Sequence, residues 1–448
     1  MTRFVFADHA YDASQPSGSW WHDAGMTTAP ALAGAIQADV AIVGGGVVGL
    51  NAALHLAATH SADVVLLEAG DLGWGASGRN GGFCCDGAAK LAPAALVRRF
   101  GEVEARRFFR LQMEAIEHVA HLLERLGIGD ARHGDGETYL AHRPVRRAAF
   151  AAALAEVTWA YGVAVTVQDR SELAAAGIQG PHFHFGAHVP VGFGIDSGRY
   201  LEALAHAAVA GGARLFARSR VTGIAGGDGA FRVRTAAGEV RARRLIVATN
   251  AYTDEDLVPA LRGRLLPAFS NVLVTRPLRP GELAAQGWTT DRMAFDSREL
   301  LHYFRLLPDR RFLFGGRGGL SGRPGGQART QAKLVADFRV LFPAWRDVAI
   351  SHQWSGLVCL TRNLLPYVGR LDAPSGAWTA LGWHGNGIAM GSLAGALVAD
   401  LALGRRRPSD LPAALTQQPR RFPLPRTWLL RAAYAWFERR DGPLRADP

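Results

Sequence analysis

Gly44, Gly46 and Gly49 stand in the order GxGxxG, and an acidic residue, Glu68, follows 19 positions beyond the last of them. These types at this spacing suit one piece of chemistry, the cradling of a pyrophosphate. Gly44 allows a tight turn, Gly46 lets the backbone approach the phosphates, and Gly49 lets the next helix pack close to the strand before it. The helix start around Val48 presents free N–H groups and the positive end of its dipole to the anion. Glu68, followed by Ala69, accepts hydrogen bonds from both ribose hydroxyls and repels a 2′-phosphate.

A second stretch carries further chemistry. "WGASGRNGGFCCDG" (74–87) is too rich in glycine to fill a core. It keeps the backbone small and bendable just beyond Glu68, which suits a cofactor longer and wider than NAD. A flavin has a ribityl chain and a broad ring system that must lie along protein backbone. Gly75, Ala76, Ser77, Gly78, Arg79, Asn80, Gly81 and Gly82 offer small side chains and several donors for it. The spacing and this stretch together indicate FAD.

The elements that must hold these residues are legible too. Val40–Val43 is a short apolar strand, Val47–Ala58 has helical patterning, and residues 63–68 form a second buried strand ending in Glu68: one βαβ unit. Residues 221–250 alternate apolar and polar positions around glycine-rich turns, as a β-meander does. No second GxGxxG unit has a strand and helix around it, so the organic substrate itself should reduce the flavin. The 448 residues imply more than one structural unit, and 48% hydrophobic residues allow a sizeable core. The net charge of +11 comes from arginines spread along the chain, with only two lysines, Lys90 and Lys333. That spread argues against nucleic acid, which calls for a basic stripe. Three cysteines without CxxC spacing suggest neither a disulfide framework nor zinc. The start of the chain has no signal-peptide pattern, and no stretch reads as a membrane span, so the expected place is the cytoplasm.

"ASGRNGG" at this position resembles the D-amino-acid-oxidase-like family of FAD amine oxidoreductases. That resemblance implies that Val221 lines the adenine side and that Ala248, Thr249 and Asn250 close over the cofactor. It also matches Gly382, Trp383, His384, Gly385, Asn386 and Gly387, with Ile388 opening a helix, to the family's last cofactor segment. A helix start there favours the negative charge of reduced flavin. Within the family, "HYFRLLPDRRFLFGG" (302–316) and "WSGLVCLTRNLLPYVGR" (354–370) resemble the γ-glutamylputrescine oxidoreductase branch. Tyr303 and Arg305 are the expected substrate-orienting residues, and His384 is a cofactor contact or base. Two departures stand out. Gly356-Leu357-Val358-Cys359 lacks the carboxylate-binding arginine of free D-amino-acid oxidases, and Leu313 or a neighbour replaces the flavin-facing lysine of sarcosine-oxidase-type members.

The fold expected is α/β: a Rossmann-like FAD-binding domain of the glutathione-reductase type with an inserted antiparallel-sheet substrate domain. Residues 1–37 are read as an N-terminal arm and 38–95, 190–258 and 350–405 as the FAD-binding domain. Residues 96–189 and 259–349 are read as the substrate domain, and 406–448 as a helical tail docked on the body. Cys84 and Cys85 are read as packing residues. His182, His184 and His188 are read as part of a strand beside the substrate cavity, with no metal site expected. The expected activity is oxidation of a small, γ-glutamylputrescine-like amine to an imine by non-covalent FAD, with O2 or another acceptor reoxidising the flavin. Two alternatives stay open: a dehydrogenase of an N-methyl or cyclic amino acid, and a non-catalytic flavoprotein. The oligomeric state is not legible.

Overall fold

The computed structural model describes residues 4–23, 28–144 and 147–444. The strand Gly34–Val43 lies inside an eight-stranded sheet, parallel to Val64–Leu67 on one side and Gly238–Val247 on the other. Arg214–Phe216 extends the parallel set beyond Val64–Leu67, and Trp378–Leu381 does so beyond Gly238–Val247. Val40–Val43 and Val64–Leu67 are unbroken apolar runs because both faces of these strands are covered. The strand begins at Gly34, inside the stretch read as an arm. Gly223–Gly227 and Ala230–Arg234 form the expected antiparallel meander at one edge.

Helices Val47–His60, Ser197–Ala210 and Ile388–Ala402 share one apolar cluster against this sheet. Val47–His60 and Ile388–Ala402 approach closely at a glycine. A β-carbon at Gly395 would fall 2.6 Å from the Val48 carbonyl oxygen. Helix Glu102–Arg125, expected with the substrate domain, buries Ala115, Ile116, Val119 and Leu122 in that same cluster. Its apolar stripe is plain in the sequence, but the partner of the stripe is not.

The second sheet also has eight strands. It is antiparallel except where Met293–Asp296 runs parallel to Glu137–Ala141, so it is mixed rather than purely antiparallel. Ile350–Thr361, expected in the cofactor domain, pairs along its length with Leu265–Thr275 of this second sheet. Its alternation of exposed and buried residues defines a strand without defining which sheet receives it. Phe185–Val189 pairs with Glu137–Ala141, which places the histidine-rich segment beside the strand that carries Glu137. A third, small sheet joins Phe83–Cys84, Phe193–Ile195 and Arg132–His133.

The first and last described stretches pack on this body. Phe4, Phe6, Tyr11 and Trp21 of the N-terminal stretch are buried. The helix Arg426–Asp441 buries Leu430 and Tyr434, and its Asp441 carboxylate accepts from the Glu299 and Leu300 N–H groups at 2.7 and 2.9 Å.

Candidate functional site

One continuous cavity runs from the first sheet to the second. At its first-sheet end lie Gly44, Gly46, Val48, Glu68 and Ala69, with Val221 beside them. Gly44 has φ of +112°, the left-handed region that favours glycine, and a β-carbon at Gly49 would overlap the Gly44 carbonyl oxygen. The turn and the helix start are therefore as tight as the motif requires. Glu68 accepts from the Gly45 N–H at 2.6 Å and the Gly70 N–H at 3.0 Å. Burial pushes its carboxyl up, while those two N–H groups oppose the shift.

The wall continues through Gly75, Ala76, Ser77, Arg79, Asn80 and Gly81. Ala248, Thr249 and Asn250 close one side, and Trp383, Gly385, Asn386, Gly387 and Ile388 form another. The helices Val47–His60 and Ile388–Ala402 both open on the cavity without a side-chain cap on the N-cap residue. Ser77 Oγ accepts from Val47 N at 2.9 Å and is itself on the cavity wall. Two helix starts with glycine at the N-cap, a glycine floor and the acid Glu68 fit FAD. Gly78, Gly82 and Gly382 do not line the cavity. Gly78 packs on His22 and Gly82 on Arg305, while the Gly382 N–H donates to Asn250 Oδ1 at 3.0 Å.

Four consecutive carbonyls of the flavin segment are each held from a different part of the fold. Trp354 Nε1 donates to Arg79 O at 2.9 Å, and Trp21 Nε1 donates to Asn80 O at 2.7 Å. Arg305 Nε donates to Gly81 O at 2.9 Å, and Ile195 N donates to Gly82 O at 2.8 Å. A glycine-rich segment has little side chain with which to fix itself, so outside donors do that here.

Two expected catalytic residues stand elsewhere than anticipated. Arg305 is fully buried and does not line the cavity. Its remaining donors go to Ile195 O, at 2.8 Å, and to His133 Nε2. Burial and the adjacent Arg305 guanidinium hold His133 down to about 3, which keeps that nitrogen an acceptor. Strand alternation does put Tyr303 and Arg305 on one face, but the Gly81–Gly82 backbone lies between Arg305 and the cavity. His384 is also fully buried. Its Nδ1 bonds Ala88 O at 2.8 Å and its Nε2 meets Thr361 N at 3.2 Å. Burial pushes it down to about 4. A neutral imidazole engaged on both nitrogens anchors the 382–387 turn.

Tyr303 does face the cavity, with its hydroxyl 2.9 Å from Ser270 Oγ. The ring lies so close to the glycines around it that a β-carbon at Gly81 would sit 2.7 Å from its Cε2, and one at Gly315 would overlap it.

Around Tyr303 are residues that sequence reasoning missed: Asp86, Lys90, Glu137, Tyr139, Phe295 and Arg317 all line the cavity. Asp86 and Lys90 follow the glycine-rich segment directly, which was a usable signal. Glu137 sits in the strand Glu137–Ala141, where a buried acid among apolar neighbours was another. Burial and the facing Asp86 push Glu137 up to about 8. Burial raises Asp86 as well, against the opposing effects of the Tyr161 hydroxyl and Lys90. The enclosing walls and Arg317 push Lys90 down to about 8. Tyr11 and Ala13 of the N-terminal stretch also reach the cavity wall.

Cys84 and Cys85 are buried behind the wall. Cys359 lies on it, and burial pushes its thiol up to about 12. Leu313 is fully buried away from the cavity. His188 Nε2 is 3.6 Å from Asp135. Three ligand-type side chains meet elsewhere, where His55 and His60 bond Asp400 Oδ1 at 2.7 and 3.0 Å.

A parallel sheet with this glycine turn, joined to a second sheet across one cavity, defines a flavin-dependent oxidoreductase. Residues 39–401 match the family described as FAD dependent oxidoreductase, and the chain belongs to that family. It is 30% identical over 433 residues to a probable oxidoreductase, OrdL, of Rhizobium meliloti, covering 95% of this chain and 97% of the relative. It is 32% identical over 400 residues to the γ-glutamylputrescine oxidoreductase of Escherichia coli, covering 88% of this chain and 89% of that one. Among solved structures, glycine oxidase from Geobacillus kaustophilus superposes with a TM-score of 0.69 at 23% identity, over 86% of this chain and 99% of that one. The protein is a FAD-dependent amine or amino-acid oxidoreductase. Among the described residues, no helix is long and apolar enough to cross a membrane.

Proposed function

We propose that the protein oxidises a small amine of the γ-glutamylputrescine type to its imine, with O2 as terminal acceptor and H2O2 as co-product. The observation that carries this reading is the single cavity joining the glycine turn to a chamber walled by Tyr303, Asp86, Glu137 and Arg317. FAD, when bound, supplies the acceptor for the hydride that leaves the amine α-carbon. Gly44, Gly46 and the Val47–His60 helix start would hold its pyrophosphate, Glu68 its ribose, and the braced backbone at Arg79, Asn80 and Gly81 its ring and ribityl chain.

The chain's own contribution to the chemistry is largely placement. Tyr303 and Phe295 shape the space for the substrate, and the buried acids offer a place for the amine's proton. Positive charge beside the cavity, at Lys90 and Arg317, favours electron transfer to O2, because the anion formed is stabilised by a nearby cation. The raised Cys359 thiol and the buried Cys84 and Cys85 support a non-covalent cofactor, since the thiolate is the reactive form. Parallel pairing in the first sheet supports reading it as a glutathione-reductase-type domain, with the second sheet inserted as the substrate domain.

An anaerobic screen of amines scored by flavin bleaching tests the reaction, and admission of air with H2O2 measured tests the acceptor. Bleaching without peroxide would move the reading to a dehydrogenase, of an N-methyl or cyclic amino acid if those prove the best reductants. Acid precipitation should leave a colourless pellet and a yellow supernatant.

A further inference from the structure

His55 and His60 stand in the second half of the helix Val47–His60, and a third ligand-type side chain reaches them from far along the chain. His55 Nε2 is 2.7 Å and His60 Nε2 is 3.0 Å from a single atom, Asp400 Oδ1, on the helix Ile388–Ala402. The three ligand atoms lie within 4.8 Å of one another. In a tetrahedral zinc site the ligand atoms stand about 3.3 Å apart, so this triangle is already close to that size. The three side chains keep between 19% and 25% of their surface exposed, which lets an ion enter from solvent. His118, on the helix Glu102–Arg125, is an electrostatic neighbour of His55, and its Nε2 is buried without a hydrogen-bond partner among the described residues. Imidazoles joined by one carboxylate suit a transition metal, whereas calcium and magnesium take oxygen ligands.

We propose that His55, His60 and Asp400 bind a divalent transition-metal ion of the zinc class, which clips the helix Val47–His60 to the helix Ile388–Ala402. This does not rest on the amine-oxidation reading. The placement favours a cation. His60 is the last residue of one helix and Asp400 lies in the final turn of the other, so the ion meets the negative ends of two helix dipoles. Both helices open on the cofactor cavity at their other ends, and a helix of 14 residues is about 20 Å long. The ion therefore stands clear of the reacting atoms and acts on the frame that holds the cofactor. Without metal, each Nε2 carries the hydrogen that it donates to Asp400. On binding, that hydrogen leaves Nε2, for Nδ1 by tautomer exchange or for solvent, and the freed lone pair takes the metal. Arg406, whose Nε is 3.9 Å from Asp400 Oδ2, opposes the ion.

The test uses the FAD-loaded protein, freed of metal with a chelator and then desalted. Zn2+ is titrated by calorimetry, with Mg2+ as the control. One Zn2+ should bind per chain and raise the heat-denaturation midpoint, and Mg2+ should do neither. His60→Gln and, independently, Asp400→Asn should weaken Zn2+ by about a hundredfold or more, since even a residue that only orients a metal ligand is worth about 10–100-fold. Arg406→Ala, which removes an opposing charge and no ligand, should bind Zn2+ at least as tightly as the wild type. Flavin content, checked for every variant, shows whether the fold survives. The wild type alone gives a second readout: Zn2+ should protect His55 and His60 from acylation by diethyl pyrocarbonate, as read by peptide mass spectrometry. No Zn2+ bound by the wild type, or Zn2+ that binds without protecting His55 and His60, overturns the proposal and leaves the cluster a hydrogen-bonded clasp. Undiminished binding in folded His60→Gln and Asp400→Asn overturns it equally.

Discussion

Arg305 Nε donates to the carbonyl of Gly81 at 2.9 Å, tying a strand of the second sheet to the backbone on which the flavin is expected to lie. With Trp21, Trp354 and Ile195 it holds four carbonyls in a row, and Arg79, Asn80 and Gly81 of this braced segment line the cavity. The cofactor bed is thus fixed by parts of the chain far from it in sequence.

Arg305→Met should therefore act on stability and flavin retention. It would leave the Gly81 and Ile195 carbonyls without a partner, at a cost of about 1–3 kcal/mol each. Chemical denaturation and the flavin-to-protein absorbance ratio would report this. A stable, flavin-replete Arg305→Met protein that had lost only affinity for carboxylate-bearing amines would contradict the assignment.

Gly315→Ala should displace Tyr303, whose ring occupies the space a β-carbon would need, and break the 2.9 Å contact with Ser270. FAD binding should persist while the rate of flavin reduction by substrate falls, by about a hundredfold if the ring moves by about 1 Å. Stopped-flow reduction in the absence of air gives the number, with Tyr303→Phe as the control that removes only the hydroxyl. An unchanged rate in Gly315→Ala would show that Tyr303 does not position substrate.

Glu68→Ala should lower FAD affinity and leave the chemistry of the saturated enzyme largely intact. Hydrogen bonds to a charged group contribute about 1.5–3 kcal/mol, so the dissociation constant should rise by at least about tenfold. Equilibrium titration of the stripped protein with FAD checks it. Unchanged affinity in a folded variant would mean that the carboxylate serves only the Gly45 and Gly70 N–H groups.

Much of this was readable in advance because it is local. A strand, a glycine turn, a helix and an acid 19 residues further on form one contiguous unit, and Gly44 and Gly49 take the conformations that the motif's mechanics require. What could not be read depends on partners. Asp86, Glu137 and Arg317 lie in three separate stretches, and only the folded chain brings them to one cavity wall. Period-two alternation puts Tyr303 and Arg305 on one face of their strand. It could not show that the Gly81–Gly82 backbone would rise between them. His384 illustrates the same limit: its position in a cofactor turn was legible, but the inward direction of its ring was set by Ala88 and Thr361.

Stability should also depend on pH through a buried histidine of the second sheet. His302 Nδ1 is 2.8 Å from Asp296 Oδ2, and its Nε2 is 3.3 Å from Asp337. Burial alone would push it down, but the two carboxylates outweigh that and hold it up at about 9. Its folded pKa lies above the unfolded value of about 6.5, so its contribution is full below about pH 6.5 and is lost as pH rises through about 9. The size is about 3 kcal/mol at 1.36 kcal/mol per unit. Urea midpoints across that window should fall for the wild type and change less for His302→Gln. Identical pH slopes would remove His302 as the cause.

The central claim is that an amine reduces this flavin directly, and one measurement bears on it most closely: anaerobic flavin absorbance after addition of γ-glutamylputrescine, with D-alanine in parallel. The absent arginine at Val358–Cys359 leaves a small amino acid without a clamp on its carboxylate, which predicts rapid bleaching by the first and slow bleaching by the second. A flavin that dithionite reduces but that stays oxidised with γ-glutamylputrescine and every other amine tried would contradict the account.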